Sequence, residues 1–127
     1  MAKTVNADQF ASEMTQMIKE YTQDMSEKIT SLVDETAEDM LDEVQALAPK
    51  KTGKYAESFK ITKQDYYERT KRIIWSPKLY MMVHLLELGH AMPNGGRSPA
   101  IPHLRPAYEK YGRSLPDDIK KLIKRGG

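Results

Sequence analysis

The sequence predicts an α+β fold: a long N-terminal α-helix, two β-strands that the helix or a third strand must cover, and shorter helices on the C-terminal side. Three observations predict it. Apolar or semi-polar residues recur every three or four positions from Phe10 to Leu47 with no glycine or proline between them, the spacing of one helix face. Two runs rich in β-formers follow a Pro/Gly turn. Beyond them, apolar stretches are punctuated by Pro and Gly at intervals too short for anything but brief helices.

The first element covers residues 6–48. Its stripe is Phe10, Met14, Met17, Tyr21, Met25, Ile29, Leu32, Thr36, Met40, Val44 and Leu47. A helix of that length runs to roughly 60 Å, more than a small domain can cover, so part of it must project, bend or meet a neighbour. It ends at Ala48, because Pro49 disfavours α geometry in the residue before it. A basic turn follows, Pro49, Lys50, Lys51, Thr52, Gly53 and Lys54. Residues 55–62 then alternate as a half-buried strand with Tyr55, Phe59 and Ile61 inward. Asp65 suggests a turn, and residues 66–75 form the second strand. Ser76 and Pro77 break the chain and cap a helix over 79–88, whose apolar residues crowd nearly all round; such a helix is expected to be buried. Gly89 stops it. Residues 91–102 carry three prolines and two glycines and form a long exposed loop, of the kind that often carries function. Helices are expected over 104–111 and 115–124.

At 127 residues the chain is one domain's worth of sequence. The expected organisation is a single domain, 1–127, with the long helix over 1–48 and the sheet, short helices and loop over 49–127. No apolar run is long enough to span a membrane, and residues 1–6 lack the apolar core of a secretory signal. There is no cysteine, which excludes disulfides, thiolate metal sites and a cysteine nucleophile; a cytoplasmic site of synthesis is expected. The net charge of +2 hides a split. Residues 1–48 hold three lysines against eleven acids, a net of −8, and residues 49–127 hold seventeen basic residues against seven acids, a net of +10. Such a chain can pair with copies of itself or present a basic face to DNA; differently charged solvated faces are the plainer account.

Catalytic chemistry is mostly absent. No phosphate-cradling glycine loop and no nucleophile elbow occurs. Gly95 and Gly96 precede Arg97, Ser98 and Pro99 and open no helix. The one constellation of ligating residues is His84, Glu87 and His90, with His103 available from the following loop. Two imidazoles and a carboxylate can hold zinc, but His90 lies past the helix stop and the zinc-protease spacing is missing. The alternative is that His84 and Glu87 bond each other or loop backbone, while His90 and His103 pin the loop. No metal and no cofactor are expected. Basic residues interleaved with Tyr66, Tyr67 and Trp75 would suit loose contact with a nucleic-acid backbone.

The order of motifs adds to this. The segment Ala48, Pro49, Lys50, Lys51, Thr52, Gly53, Lys54, Tyr55 follows the long helix. Then come His84-Leu85-Leu86-Glu87-Leu88-Gly89-His90-Ala91, then Gly95-Gly96-Arg97, then Pro102-His103-Leu104-Arg105-Pro106-Ala107. This resembles a family of small siphophage tail-component proteins, typified by the tenth gene product of a lambdoid phage. Pro49, Thr52 and Gly53 match the family's turn. Tyr80, Glu87, Gly89, Pro102, Leu104, Pro106 and Ala107 match its later elements, and His84 and His90 place the chain with members whose glutamate is flanked by histidine. Lys50 and Lys51 depart from the pattern, since an acid often precedes the threonine. The resemblance implies an α+β fold with the long N-terminal α-helix packed on a small antiparallel β-sheet and shorter helices on the C-terminal side, in a non-enzymatic structural virion protein at the head–tail interface. It implies tail completion or head–tail joining by a sixfold or twelvefold ring, with connector, neck, tail-terminator and tail-tube proteins as partners. Pro49, Thr52, Gly53, His84, Glu87, Gly89, His90, Gly95, Gly96, Arg97, Pro102, His103 and Pro106 are the candidate interface positions. A nucleic-acid-binding module built on residues 49–127 is the main rival, and a small metal-dependent hydrolase using His84, Glu87 and His90 the second.

Overall fold

The computed structural model describes residues 7–50, 53–66 and 69–126. The expectations placed on residues 1–6, Lys51, Thr52 and Tyr67 lie outside these residues.

Helix α1 spans Ala7–Leu47 without interruption. Its last turn closes through Ala48 N–H donating to the Val44 carbonyl at 2.9 Å, and Pro49 then removes the next donor. The expected stripe divides in two. Met25, Ala37, Val44 and Ala48 are buried, whereas every described side chain over residues 7–24 is exposed. The first half of the helix therefore projects beyond the core.

The first strand begins later than the sequence suggests. Gly53, at φ +78°, starts a helical turn α2, Lys54–Glu57, and only Lys60 enters the sheet. The expectation of a strand over 55–62 is thus corrected. A strand would point Tyr55 and Ala56 to opposite faces, but the end of α1 offers apolar cover on one side only. The helical turn buries Tyr55, Ala56 and Phe59 together there, while Glu57 and Ser58 N–H groups bond back to Gly53 and Lys54 carbonyls at 3.1 Å.

Strands β1, Lys60–Tyr66, and β2, Arg69–Trp75, pair antiparallel from Lys60 opposite Trp75 to Tyr66 opposite Arg69. Asp65 is no turn residue: it sits in the ladder opposite Thr70, and its carboxylate takes a bond from Arg72 at 2.6 Å. One face of the hairpin rests on α1. Thr70 meets Thr30 at 3.4 Å, Arg72 Nε donates to Asp34 at 2.6 Å, and Ile74 packs against the core. These three residues alternate along β2, as one face of a strand must.

Ser76 is fully buried, bonds Ser58 Oγ at 2.7 Å and accepts Leu79 N–H at 3.1 Å; this sets up helix α3, Tyr80–Leu88. The expectation that α3 is buried is also corrected. None of its residues is fully buried; Leu79, Val83 and Leu86 lean on the core, Glu87 is half-buried, and the rest faces out. A two-strand sheet and one long helix give too little surface to cover a second side. Residues 91–97 fold into a small exposed hairpin, with Ala91 bridging Arg97 and Met92 N–H donating to the Gly96 carbonyl at 2.7 Å. The expected helix over 104–111 is split into α4, Leu104–Ala107, and a π-helical turn, Tyr108–Gly112. The wider turn brings Gly112 against Met40, where an added Cβ would lie 3.1 Å from the sulfur and 2.7 Å from the Tyr108 ring. Helix α5, Leu115–Lys124, ends the described chain near its expected place. The core is small: Val44, Ala48, Tyr55, Ala56, Phe59 and Ala107, with Leu41, Ile74 and Leu104 at its edge.

Candidate functional site

Two features stand out among the residues singled out by sequence: a polar latch around Glu87, and apolar surface left uncovered on α1 and α3.

Glu87 leaves the last turn of α3 and reaches the start of α4. Its Oε1 accepts N–H bonds from His103 and Leu104, both at 2.9 Å, and its Oε2 accepts Arg105 N–H at 3.1 Å. No side chain within α4 caps that helix. Glu87 therefore supplies from a distance the acceptor that a short helix needs for its first donors. Burial alone would raise the Glu87 carboxyl, but the backbone donors of Leu104, His103 and Arg105, with His103 nearby, outweigh it and hold it below the usual range.

His103 is fully buried. Its Nδ1 lies 2.8 Å from the Ile101 carbonyl and 3.0 Å from Glu87 Oε1, both acceptors. Nδ1 must then carry the proton, and in the neutral ring Nε2 accepts from the Tyr55 hydroxyl at 2.6 Å. Burial, reinforced by the Glu87 charge, pushes the Tyr55 phenol up to about 12. Tyr55, His103 and Phe59 also meet edge to face, with ring centroids 5.2–5.7 Å apart. A carboxylate, an imidazole and a phenol in line resemble acid–base machinery. Here every proton is already matched to an acceptor and the imidazole is sealed from solvent, so the arrangement ties α3, α4 and α2 to one another.

The other predicted positions cluster around this latch or lie on the loop. Gly89, at φ +72° and ψ 171°, occupies a backbone region essentially reserved for glycine. An added Cβ would stand 2.6 Å from the Ser98 carbonyl oxygen. His90 holds the returning loop through Ser98: its Nδ1 lies 2.8 Å from Ser98 Oγ, and Ser98 N–H donates to its carbonyl at 2.9 Å. Pro102 immediately precedes His103, the residue before α4, and Pro106 lies within α4. Gly95, Gly96 and Arg97 are exposed at the loop tip, His84 is exposed on α3, and Pro49 and Gly53 frame the turn into α2. The three histidines thus do not converge, and among the described residues no three His, Asp or Glu side chains form a metal-ligand set.

Sequence inspection missed Tyr55 and Ser98 as latch partners, because neither is near its partner in the chain. It also missed Arg72. That guanidinium, 4% exposed, bridges Asp34 and Asp65, both at 2.6 Å, and holds the Asp34 carboxyl below the usual range, with Lys63 at 3.8 Å assisting. Lys110 meets Glu43 at 3.4 Å. Part of the basic second half therefore neutralises α1 within the chain.

The uncovered surface is extensive. A compact protein of 14.6 kDa exposes about 6,900 Å², and this chain exposes 9,860 Å², about 3,000 Å² more. Met14, Met17, Ile18 and Tyr21 on the projecting half of α1 are exposed, and so are Tyr80, Met81, Leu85 and Leu88 on α3. No described helix is long and apolar enough to cross a membrane.

The family model described as "Bacteriophage HK97-gp10, putative tail-component" matches residues 12–89. The match runs from the projecting half of α1 through the hairpin to Gly89, and so includes Glu87 but not its partners on the α4 side. No curated protein and no solved structure matches the chain.

Proposed function

The chain belongs to the HK97 gp10-like family of bacteriophage tail components, and from that premise we propose that it is a neck adaptor: a ring of copies that completes the tail or joins it to the head. Family membership makes it a structural component of the virion tail, which implies a non-enzymatic role. The observation that carries the finer reading is the excess surface. A long helix whose apolar stripe continues past its own core, and a short helix with an apolar outer face, are what a subunit completed by its neighbours would carry. Sixfold or twelvefold closure suits a part that meets connector and tail-terminator rings. The exposed loop over residues 91–102 and the Pro49–Gly53 turn are the proposed contacts with those partners. Passing DNA is a further, non-specific contact.

The mechanism is geometric. The latch ties α3 to α4 and α2, whose Ala107 and Tyr55 pack against Val44 of α1, so that the loop tip and the projecting helix keep a constant orientation in each copy.

Electron microscopy of lysates from phage lacking this gene tests the reading. DNA-filled heads beside separate tails of normal length are the expected result. Empty heads would move the protein to the head side as a stopper, and intact infectious particles would overturn the neck assignment.

A further inference from the structure

We infer that the apolar stripe on the projecting half of α1 docks on the outer face of α3 in a second copy of this chain, head to tail. This deepens the ring proposed above and rests on it.

The donor surface is the continuation of a core stripe. Met14, Met17, Ile18 and Tyr21 follow the spacing that leads into buried Met25. Met17 is 62% and Tyr21 53% exposed. Side chains of that kind at that spacing bury against a partner when one is present. The acceptor surface is the side of α3 turned away from the core. At 100° per residue, Leu79, Val83 and Leu86 share the inner side, and Met81, Leu85 and Leu88 share the outer one with His84 at its edge. Met81 is 69% and Leu88 67% exposed. The one acid of α3, Glu87, is turned inward to the latch, which leaves the outer face without a charge that would oppose an apolar partner.

Charge points to the same pairing. Residues 7–27 of α1 carry five acids against one lysine. The cleft at the start of α3 is lined by Lys54, Lys60 and Lys78 against the single acid Glu57. An acidic apolar helix and an apolar face with a basic rim are complementary.

Length excludes the chain's own α3 as the partner, so the pairing joins one copy to another. Along α1, Met17 precedes Val44 by 27 positions, about 40 Å at 1.5 Å per residue. Leu79, Val83 and Leu86 of α3 pack on the cluster around Val44, so a chain's own stripe lies too far from its own α3. Two different surfaces joined between copies make a heterologous contact, the kind that closes rings. The excess exposure of about 3,000 Å² is enough for two such contacts per subunit, each near 800 Å² a side.

The chain has no cysteine, which gives a clean test. Phage carrying Met17→Cys, Met81→Cys, or both are assembled, and the particles are treated with a short bismaleimide crosslinker. The double variant should yield a ladder of covalent dimers, trimers and larger species ending at the ring number, while each single variant stays at the monomer mass. An equimolar mixture of the two purified single variants should yield dimers and nothing larger. Dimers from Met81→Cys alone would replace the proposal with a symmetric α3–α3 contact. No covalent species from the double variant, in particles that hold several copies, would overturn the contact and leave the neck ring standing. Absence of the protein from purified particles would overturn both. Matching thermal melts of the single variants and the parent chain guard against a folding artefact, since both sites are exposed.

Discussion

The Glu87 latch gives the sharpest stability prediction. In Glu87→Ala the three N–H groups at the start of α4 lose their acceptor. Arg105 is exposed, and water takes its N–H at little cost. His103 is buried and Leu104 half-buried, so two donors are left largely unmatched, at about 1–3 kcal/mol each. The expected loss is about 4 kcal/mol, a large share of the roughly 5–15 kcal/mol that holds a domain together. Glu87→Gln keeps one oxygen for His103 and Leu104 but turns an amide toward Arg105 and should lose about 1–2 kcal/mol. Urea unfolding at pH 7 reads both as a lower midpoint at unchanged slope. The pH dependence has a fixed sign. The Glu87 carboxyl titrates lower in the folded protein than its ordinary 4.5. Its contribution is therefore complete above that value and is lost as pH falls through the lower folded value. The gap between parent chain and Glu87→Gln should close in acid over that window. A Glu87→Ala variant within about 0.5 kcal/mol of the parent, or a gap that persists in acid, would refute the latch.

Other outcomes follow from neighbouring geometry. Gly89→Ala forces a Cβ to 2.6 Å from the Ser98 oxygen at φ +72° and should cost about 1–3 kcal/mol, visible as a drop in melting temperature with the loop made susceptible to protease. Tyr55 should resist ionisation until about pH 12; ultraviolet titration of Tyr55→Phe should lack that late step, and a late step that survives the substitution would misplace it. Arg72→Met removes the partner of Asp34 and Asp65 and should cost about 1–3 kcal/mol. Stability unchanged to within error would mean that the carboxylates find water at no penalty. DNA affinity should stay within the roughly 10⁻⁴–10⁻⁶ M of non-specific contact and fall steeply with salt; tighter, sequence-dependent binding would favour the nucleic-acid reading.

The long helix, the hairpin and the order of the short helices were legible in the sequence, because each rests on local rules. A stripe at three- and four-residue spacing without Gly or Pro allows little but a helix, and Pro49, Gly53 and Gly89 mark their turns by what their backbones can and cannot adopt. The nature of residues 54–59 was not legible. Alternating apolar residues fit a strand and a helical turn alike, and the one-sided cover at the end of α1 chose the turn. The fate of α3 was hidden for a related reason. A helix apolar nearly all round asks to be buried, but whether its own chain has anything left to bury it depends on the sum of all other elements. Glu87 and His103 could be singled out as reactive types at close spacing. That they meet each other, Tyr55 and the first donors of α4, while His84 and His90 turn elsewhere, is a matter of tertiary packing that brings residues 48 positions apart to 2.6 Å. The sequence by itself thus determined which segments fold and where they stop, through backbone chemistry. Only the tertiary structure decided which apolar faces the chain satisfies internally and which it leaves exposed, because burial is a property of the whole chain's surface and volume, not of any one segment.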